Sequence, residues 1–151
     1  MKLKIQNSNK EANGDLTITG SKSESNRLLI IQALYPQIEI HNLSKSDDSK
    51  VTLEGLKSKK NVIDVNHAGT AMRFLTAFFA IQPHREIVLT GSNRMQERPI
   101  KLLVEALNSL GADITYEKEP GFPPLIIRGK EISINRVSLC LLYTSDAADE
   151  E

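Results

Sequence analysis

The sequence contains little of several features that would point to particular classes of protein. It has one cysteine among 151 residues, Cys140, so a disulfide within the chain is impossible, and a reducing, cytoplasmic compartment is the simplest expectation. Nineteen basic residues balance nineteen acidic ones, which gives no electrostatic reason to expect a nucleic acid or an acidic membrane as a partner. Any binding of anions must therefore come from the local placement of lysines and arginines.

Long apolar runs are also missing. No stretch approaches the roughly 18 consecutive apolar residues of a membrane span, and the polar first residues do not resemble a secretory signal. Three scattered histidines and one cysteine do not form a metal-binding pattern. With 40% hydrophobic and 25% charged residues, the composition is that of an ordinary globular domain with a core of its own.

Segments with strand and helix patterns alternate along the chain, which predicts an α/β fold. Strands are expected at residues 16–20, 37–43, 62–65, 86–90, 113–116, 125–128 and 132–134. Helices are expected at residues 26–34, 46–57, 69–82 and 98–110. Pro99 suits the first turn of the last helix and Gly111 lies just past its end. The order of elements suggests two related units, the first beginning at residue 16 and the second spanning residues 62–128.

Three segments share one arrangement, in which a strand ends at a turn of small residues, a cation follows and a helix begins. They are Gly20–Arg27, Asn66–Arg73 and Leu89–Pro99. Ligands of open α/β sheets sit at such strand ends, and the backbone N–H groups at a helix start attract anions. Three such segments in one chain favour a substrate, or a pair of substrates, with several negative groups.

Each segment also has a purely structural interpretation. In the first, Lys22 offers a point charge, Ser23 a hydroxyl donor and Arg27 a guanidinium one helical turn further on. The alternative is a serine-capped helix with solvated charges. The segment does not match the phosphate loop of nucleotide-binding proteins, so a nucleotide is not implied.

The other two segments have the same ambiguity. Gly69 and Thr70 open a helix that carries Arg73 one turn in, and this suits an anion, although a turn before a buried helix would look the same. His67, taken alone, is more typical of a loop histidine than of a catalyst. In the third segment Arg94 favours binding of carboxylate or phosphate, whereas Arg98 favours a structural ion pair with Glu97 or another acid.

Taken in order, the three motifs resemble those of the 5-enolpyruvylshikimate-3-phosphate synthase family. The matching stretches are Ser21-Lys-Ser-Glu-Ser-Asn-Arg27, Ala68-Gly-Thr-Ala-Met-Arg73, and Leu89-Thr-Gly91 with Arg94-Met-Gln-Glu-Arg-Pro-Ile100. The resemblance implies an inside-out α/β barrel built of βαβαββ units. It also implies transfer of the enolpyruvyl group of phosphoenolpyruvate to the 5-hydroxyl of shikimate 3-phosphate, through a tetrahedral intermediate and without metal or organic cofactor, by an enzyme expected to be a monomer.

The resemblance also implies roles for individual residues. Lys22 is expected to be catalytic and to touch both substrates, Ser23 and Arg27 to hold shikimate 3-phosphate, and Gly69 and Arg94 to hold phosphoenolpyruvate. His67, Thr70 and Arg73 are further candidates. Two positions depart from the family pattern, since His67 stands where asparagine is frequent and Phe74 where proline is frequent.

The resemblance extends to about Val137. Residues 1–137 are expected to form part of the first domain, with residues 1–19 pairing with a second domain that this sequence does not contain. Residues 138–151 look like a translated adapter and not like natural sequence. Because a Ser-Ser-Gln substrate motif and the second domain are absent, the chain alone is expected to be inactive.

Two other interpretations stay open at this point. The related UDP-N-acetylglucosamine enolpyruvyl transferases share the fold, but their first motif usually reads Lys-Asn after Gly-Ala. A non-catalytic anion-binding module would have the same three segments. The coding sequence beyond residue 137 separates these interpretations, since an enzyme requires a second domain there.

Overall fold

The structure, a computed structural model, describes residues 18–134 and 136. Its helices are α1 (Lys22–Leu34), α2 (Asp47–Lys57), α3 (Gly69–Ala80), α4 (Asn93–Gln96) and α5 (Lys101–Ser109). Its strands are β1 (Val62–Asp64), β2 (Glu86–Thr90), β3 (Asp113–Tyr116) and β4 (Leu125–Arg128). The α/β fold class is therefore confirmed.

The four strands form one sheet in the order β1-β2-β4-β3. β1 and β2 are parallel, with Ile63 opposite Leu89, so α3 is the crossover between them. β4 runs antiparallel to both of its neighbours, β2 and β3. The elements from β1 to β4 thus form one βαβαββ unit, which is the second of the two predicted units. In the described part of the first unit, α1 and α2 form without a strand.

The apolar stripe of α3 is the centre of the core. Met72, Leu75 and Phe79 are each at most 1% exposed, and they belong to the same cluster of buried residues as the sheet residues Leu89 and Ile127. Fully burying a side chain of this size contributes about 1.5–3 kcal/mol. Because α1 and α2 also contact α3, this one helix connects the sheet to the first two helices.

Helix α1 begins earlier than the sequence predicted. A start at Asn26 was expected, but the helix starts at Lys22, because the Ser21 side chain accepts a hydrogen bond from the Glu24 amide and caps it. Several serines compete for this capping position in the sequence, and their order alone does not decide between them. The consequence is that the first motif occupies the opening turns of the helix and not a loop before it.

The predicted strand at residues 37–43 is wrong. Asn42 has a left-handed backbone with φ of 55°, which interrupts an extended run, and no strand of the described residues lies beside this segment. The strand expected at 132–134 does not form either, and residues 18–20 are not in a strand. Residues 16 and 17 of that first predicted strand lie outside the described residues.

The helix predicted at 98–110 forms as α5, and a short helix that was not predicted, α4, precedes it. Ser92 caps the short α4 through the Met95 amide, and α5 begins only at Lys101. Pro99 separates them, because a proline disfavours helical backbone at the residue before it, so its predicted place in the first turn of a helix was wrong. Gly111 does end α5, with a φ of 104° that suits glycine.

The hydroxyl of Tyr116, on β3, is buried and has no hydrogen-bond partner among the residues that the structure describes. Burial raises the pKa of the Tyr116 phenol above its ordinary value, and the Glu105 carboxylate raises it further. The folded state therefore favours the protonated phenol. This contribution to stability is complete below the unfolded-state pKa of about 10 and is lost as the pH rises through the higher folded-state pKa.

We expect Tyr116→Phe to leave the free energy of unfolding at pH 7 unchanged or higher, because no hydrogen bond is lost. The variant should also lose less stability than the unmodified chain between pH 9 and pH 11 (roughly one unit either side of the ordinary phenol pKa). Urea unfolding at pH 7, and again at the two ends of the alkaline range, measures both effects. Substitution of the exposed Tyr35 is the control. A clear destabilisation by Tyr116→Phe at pH 7 would contradict this interpretation.

Candidate active site

The first motif occupies the N-terminal turns of α1. Lys22 and Ser23 are its first two residues and both are exposed. Within the same first turn the motif is anchored to the fold, because the buried Ser25 hydroxyl accepts a hydrogen bond from the Ser44 amide at 2.9 Å. A rigid helix start therefore presents Lys22 and Ser23 at the surface.

The second motif follows the end of β1. Asn66 takes a left-handed backbone with φ of 50°, and its amide donates to the Asp64 carboxylate at 2.7 Å. α3 then begins at Gly69, and Ala68 in the N-cap position provides no side-chain hydrogen bond. The first N–H groups of α3 thus lack the usual side-chain acceptor, a condition that favours an anion at this end of the helix.

The third motif follows the end of β2, beside the second. Because β1 and β2 are parallel, their carboxyl ends meet at one edge of the sheet, and the Ser92 amide donates to the Asn66 carbonyl at 2.9 Å. Gly91 is required at this junction. A Cβ there would lie 2.6 Å from the Asn66 carbonyl oxygen and 2.8 Å from the Met95 Cβ.

The motifs meet around a cavity of about 180 Å³. Its lining residues are Lys22, Ser23, Asp48, His67, Gly69, Thr70 and Arg98. They come from the opening turns of α1, α2 and α3 and from the segment after α4. Since the N-terminal end of each helix carries a partial positive charge, three such ends and two cations at one cavity make it suited to an anion.

Lys22 has a partner at the edge of this cavity. Its Nζ lies 4.0 Å from the Asp48 carboxylate, with the lysine side chain half exposed and the aspartate mostly buried. Asp48 is in the first turn of α2, where the helix dipole favours a negative charge. In the described structure the lysine is thus held near the cavity by an opposite charge.

The structure brings together five of the eight candidate residues. Lys22, Ser23, His67, Gly69 and Thr70 line the cavity. Three arginines are not among its lining residues: Arg27, Arg73 and Arg94.

Each of the three arginines has a definite place. The Arg27 Nη1 donates to the Ser23 carbonyl at 3.4 Å, and the Arg73 Nη1 donates to the Gly69 carbonyl at the same distance. Both therefore lie one helical turn behind the residues that line the cavity. Arg94 is exposed on α4.

Two residues of the cavity were not predicted from the sequence. Asp48 lies in a helix that the sequence predicted, at residues 46–57. Ser46 followed by two acids could have identified the start of α2 as a third helix end at the site. Arg98 was interpreted as structural. Its side chain reaches the N-terminus of α3, so that a Cβ at Gly69 would lie only 3.0 Å from the Arg98 Cζ.

An apolar groove adjoins the site between α1 and α3. It measures about 450 Å³, and its lining includes Phe74, the position that departs from the family pattern, together with Arg27 and Ile81. A larger cavity of about 630 Å³ lies between α2 and β1 and contains none of the three motifs. Within the described residues, no group of three or more histidine, cysteine, aspartate or glutamate side chains is placed to hold a metal ion.

Comparison with known proteins identifies the family. The family model of EPSP synthase (3-phosphoshikimate 1-carboxyvinyltransferase) matches residues 56–148. The 3-phosphoshikimate 1-carboxyvinyltransferase of Bacteroides fragilis is 46% identical over 125 residues, which are 82% of this chain and 30% of that protein. The enzyme of the same name from Burkholderia pseudomallei is 37% identical over 164 residues, covering 91% of this chain and 35% of that protein.

The fold comparison agrees with the sequence comparison. The solved structure of EPSP synthase from Acinetobacter baumannii matches with a TM-score of 0.62 at 23% identity, over 78% of this chain and 32% of that one. The chain thus spans about a third of the length of the relatives it matches. In the described part of the chain, no helix is long and apolar enough to cross a membrane. By its matched residues, its identity to these relatives and its fold, the chain belongs to the EPSP synthase family.

Proposed function

We propose that this chain provides the first part of the active site of a 3-phosphoshikimate 1-carboxyvinyltransferase. The whole enzyme transfers the enolpyruvyl group of phosphoenolpyruvate to the 5-hydroxyl of shikimate 3-phosphate and releases phosphate, a step toward the aromatic amino acids. The observation that carries the proposal is the single cavity at which Lys22, Ser23 and Gly69 meet, at the starts of two helices. Both substrates are anions, which suits the positive character of this cavity.

The roles of the residues are proposed on the family resemblance, and five of the eight residues line the cavity. Lys22 lines the cavity and is the proposed catalytic contact to both substrates. Ser23, with Arg27 one turn behind, is proposed to hold shikimate 3-phosphate, and Gly69 allows phosphoenolpyruvate to approach the start of α3. Arg94 is proposed to bind phosphoenolpyruvate from α4. His67, Thr70 and Arg73 are proposed as supporting contacts.

These groups bind, orient and stabilise charge. Fixed cations that hold two anionic substrates in position lower the entropic barrier to their reaction. The same cations match the charge that develops when a tetrahedral intermediate forms and then loses phosphate. The proposed reaction requires no cofactor. The remaining substrate contacts are proposed to belong to the part of the enzyme that this chain does not span.

The division of the chain is also proposed, on the resemblance. Residues 1–137 form part of the first domain, residues 1–19 pair with the second domain of the whole enzyme, and residues 138–151 are a tail of different character. We also propose a cytoplasmic monomer as the whole enzyme. The alternative substrate, UDP-N-acetylglucosamine, is part of the test below.

The test is a titration of the 151-residue chain, followed by the amide signals in nuclear magnetic resonance spectra. Shikimate 3-phosphate and phosphoenolpyruvate should shift the amides of residues 22–27 and 69–73 in a saturable way. UDP-N-acetylglucosamine is the comparison ligand. If it alone produced saturable shifts, the related transferase would be the better assignment. Shifts confined to the larger cavity between α2 and β1 would place the binding site elsewhere.

We expect the 151-residue chain alone to show no enolpyruvyl transfer. It spans about a third of its relatives, and catalysis depends on groups fixed on all sides of the reacting atoms. Release of inorganic phosphate from phosphoenolpyruvate in the presence of shikimate 3-phosphate measures this directly, with a full-length relative as the positive control. Clear, shikimate-dependent turnover by the chain alone would contradict the expectation.

A further inference from the structure

Arg98 lines the candidate site. It belongs to the third motif and follows α4. It lines the cavity with Lys22 and Gly69, and its side chain is partly buried. The guanidinium occupies the space in which a side chain on Gly69 would lie. A Cβ there would overlap Nη1 and would lie 3.0 Å from Cζ and 3.4 Å from Nη2.

The backbone around Arg98 is held in place by α4 and by the loop before β4. The Arg98 amide donates to the Met95 carbonyl at 3.1 Å, and the Ile100 amide donates to the Gly121 carbonyl at 2.8 Å. Met95 is 2% exposed, so α4 is fixed against the core. Arg98 also has an interaction of its own within the fold. This hydrogen-bonded backbone segment thus positions the Arg98 guanidinium at the cavity.

The charges around the cavity give Arg98 a specific importance. Three charged side chains line it among the described residues, namely Lys22, Arg98 and Asp48. Lys22 and Asp48 lie 4.0 Å apart and offset each other. The side chains that line the cavity thus include two cations and one carboxylate. Arg98 adds a guanidinium beside the Lys22 ammonium at the start of α3.

We propose that Arg98 is a further anion-binding residue of this site, that it contacts a phosphoryl group, and that the missing side chain at Gly69 is what allows it to do so. The proposal rests on the proposed function. It adds Arg98 to the binding site and gives a reason why residue 69 is a glycine. A guanidinium can form two parallel hydrogen bonds to a phosphate, and a lysine at the same place keeps the charge but loses this paired geometry.

The first test titrates the 151-residue chain with inorganic phosphate and follows the amide signals of Gly69 and Thr70. Arg98→Gln should weaken the affinity about tenfold or more, the loss typical of a charge-assisted hydrogen bond, and Arg98→Lys should weaken it less. Arg128→Gln is the matched control. It removes the same charge from β4. Arg128 pairs there with Glu86, which lies at the start of β2, and Gly91 follows the opposite end of that strand.

The second test is a double-mutant cycle with Gly69→Ala. The new methyl group would meet only the flexible end of Arg98, and alanine is favourable in a helix, so the variant should fold and the guanidinium should move. Gly69→Ala should weaken phosphate binding in the unmodified chain but have little further effect when Arg98 is already glutamine. Independent, additive losses would mean that the methyl group blocks the ligand itself, which overturns the link between the two residues.

The outcomes separate the two proposals. If the unmodified chain binds phosphate and Arg98→Gln binds it equally well, the role of Arg98 is overturned while the proposed function stands. If the unmodified chain shows no saturable shift at Gly69 and Thr70, the anion site itself is overturned, and Arg98 with it. If Arg98→Gln does not fold, Arg98→Lys and Gly69→Ala decide, since unchanged binding in both would overturn the proposal.

Discussion

Replacing Lys22 by methionine should lower enolpyruvyl transfer roughly a hundredfold or more in an enzyme whose first third is this sequence, the loss expected when a preorganised charge is removed. Such an enzyme can be made by fusing the residues that match the Bacteroides fragilis relative, 125 in the alignment, to the remainder of that protein. Methionine keeps the length of the lysine side chain but removes its charge. The loss should be this large because Lys22 lines the cavity and is the cation proposed to contact both substrates.

The kinetic pattern distinguishes this role from a structural one. If Lys22 stabilises charge in the transition state, kcat should fall together with kcat/KM, and not through KM alone. The unfolding midpoint should change little, since the side chain is half exposed and its ion pair with Asp48 is 4.0 Å long. Lys101→Met is the control, because Lys101 is exposed and pairs only at the surface with Glu105. Equal activity of the two variants would contradict the assignment of Lys22.

Replacing Phe79 by alanine should have the largest effect on stability, a loss of about 3–5 kcal/mol in the free energy of unfolding. The side chain is 1% exposed and lies near the C-terminal end of α3. Its ring packs edge-to-face on Phe78 at 5.2 Å between centroids, and the Arg85 guanidinium lies 4.6 Å above it. Because a domain of this size is stable by only about 5–15 kcal/mol, a substantial fraction of the variant should be unfolded.

Urea unfolding monitored by circular dichroism measures this loss. Phe74→Ala is the matched control on the same helix, since Phe74 is half buried at the groove beside α1. Its loss should be less than half of that of Phe79→Ala, because less apolar surface returns to water and less of a cavity is left. Similar losses for the two variants would show that α3 does not pack as described.

The elements from β1 to β4 could be predicted from the sequence because local signals and tertiary packing agree there. Leu75 and Phe79 lie in the helix predicted at 69–82, on the apolar face that the core buries. Gly111 ends α5 with the positive φ that its position after the apolar run indicates. In such segments the hydrophobic period, the turn residues and the caps all indicate the same structure.

Other elements depended on information that a local pattern does not contain. Residues 37–43 have a strand-like composition, but a strand also needs a neighbour, and Asn42 turns the backbone away from the extended region. The start of α1 depended on which of several serines became the cap. Pro99 can open a helix or separate two helices, and only the contacts of α4 and α5 with the rest of the fold decide between these uses.

The candidate site shows the same limit. The residues at helix starts, Lys22 and Gly69, could be placed at one cavity from the arrangement of their motifs. That Arg98 lines the cavity could not be predicted, because it depends on where α4 ends and on the packing of the Arg98 side chain against Gly69. Asp48 joins the site through the packing of α2 beside α1, a tertiary contact that a local sequence pattern does not contain.

The most direct test of the account is the turnover of the fused enzyme described above. With phosphoenolpyruvate and shikimate 3-phosphate it should release inorganic phosphate and form the enolpyruvyl product. Turnover should require both substrates and should be lost with Lys22→Met. A folded fusion that binds neither substrate, or that turns over equally well with methionine at position 22, would contradict the claim that this chain provides the first part of a carboxyvinyl transferase site.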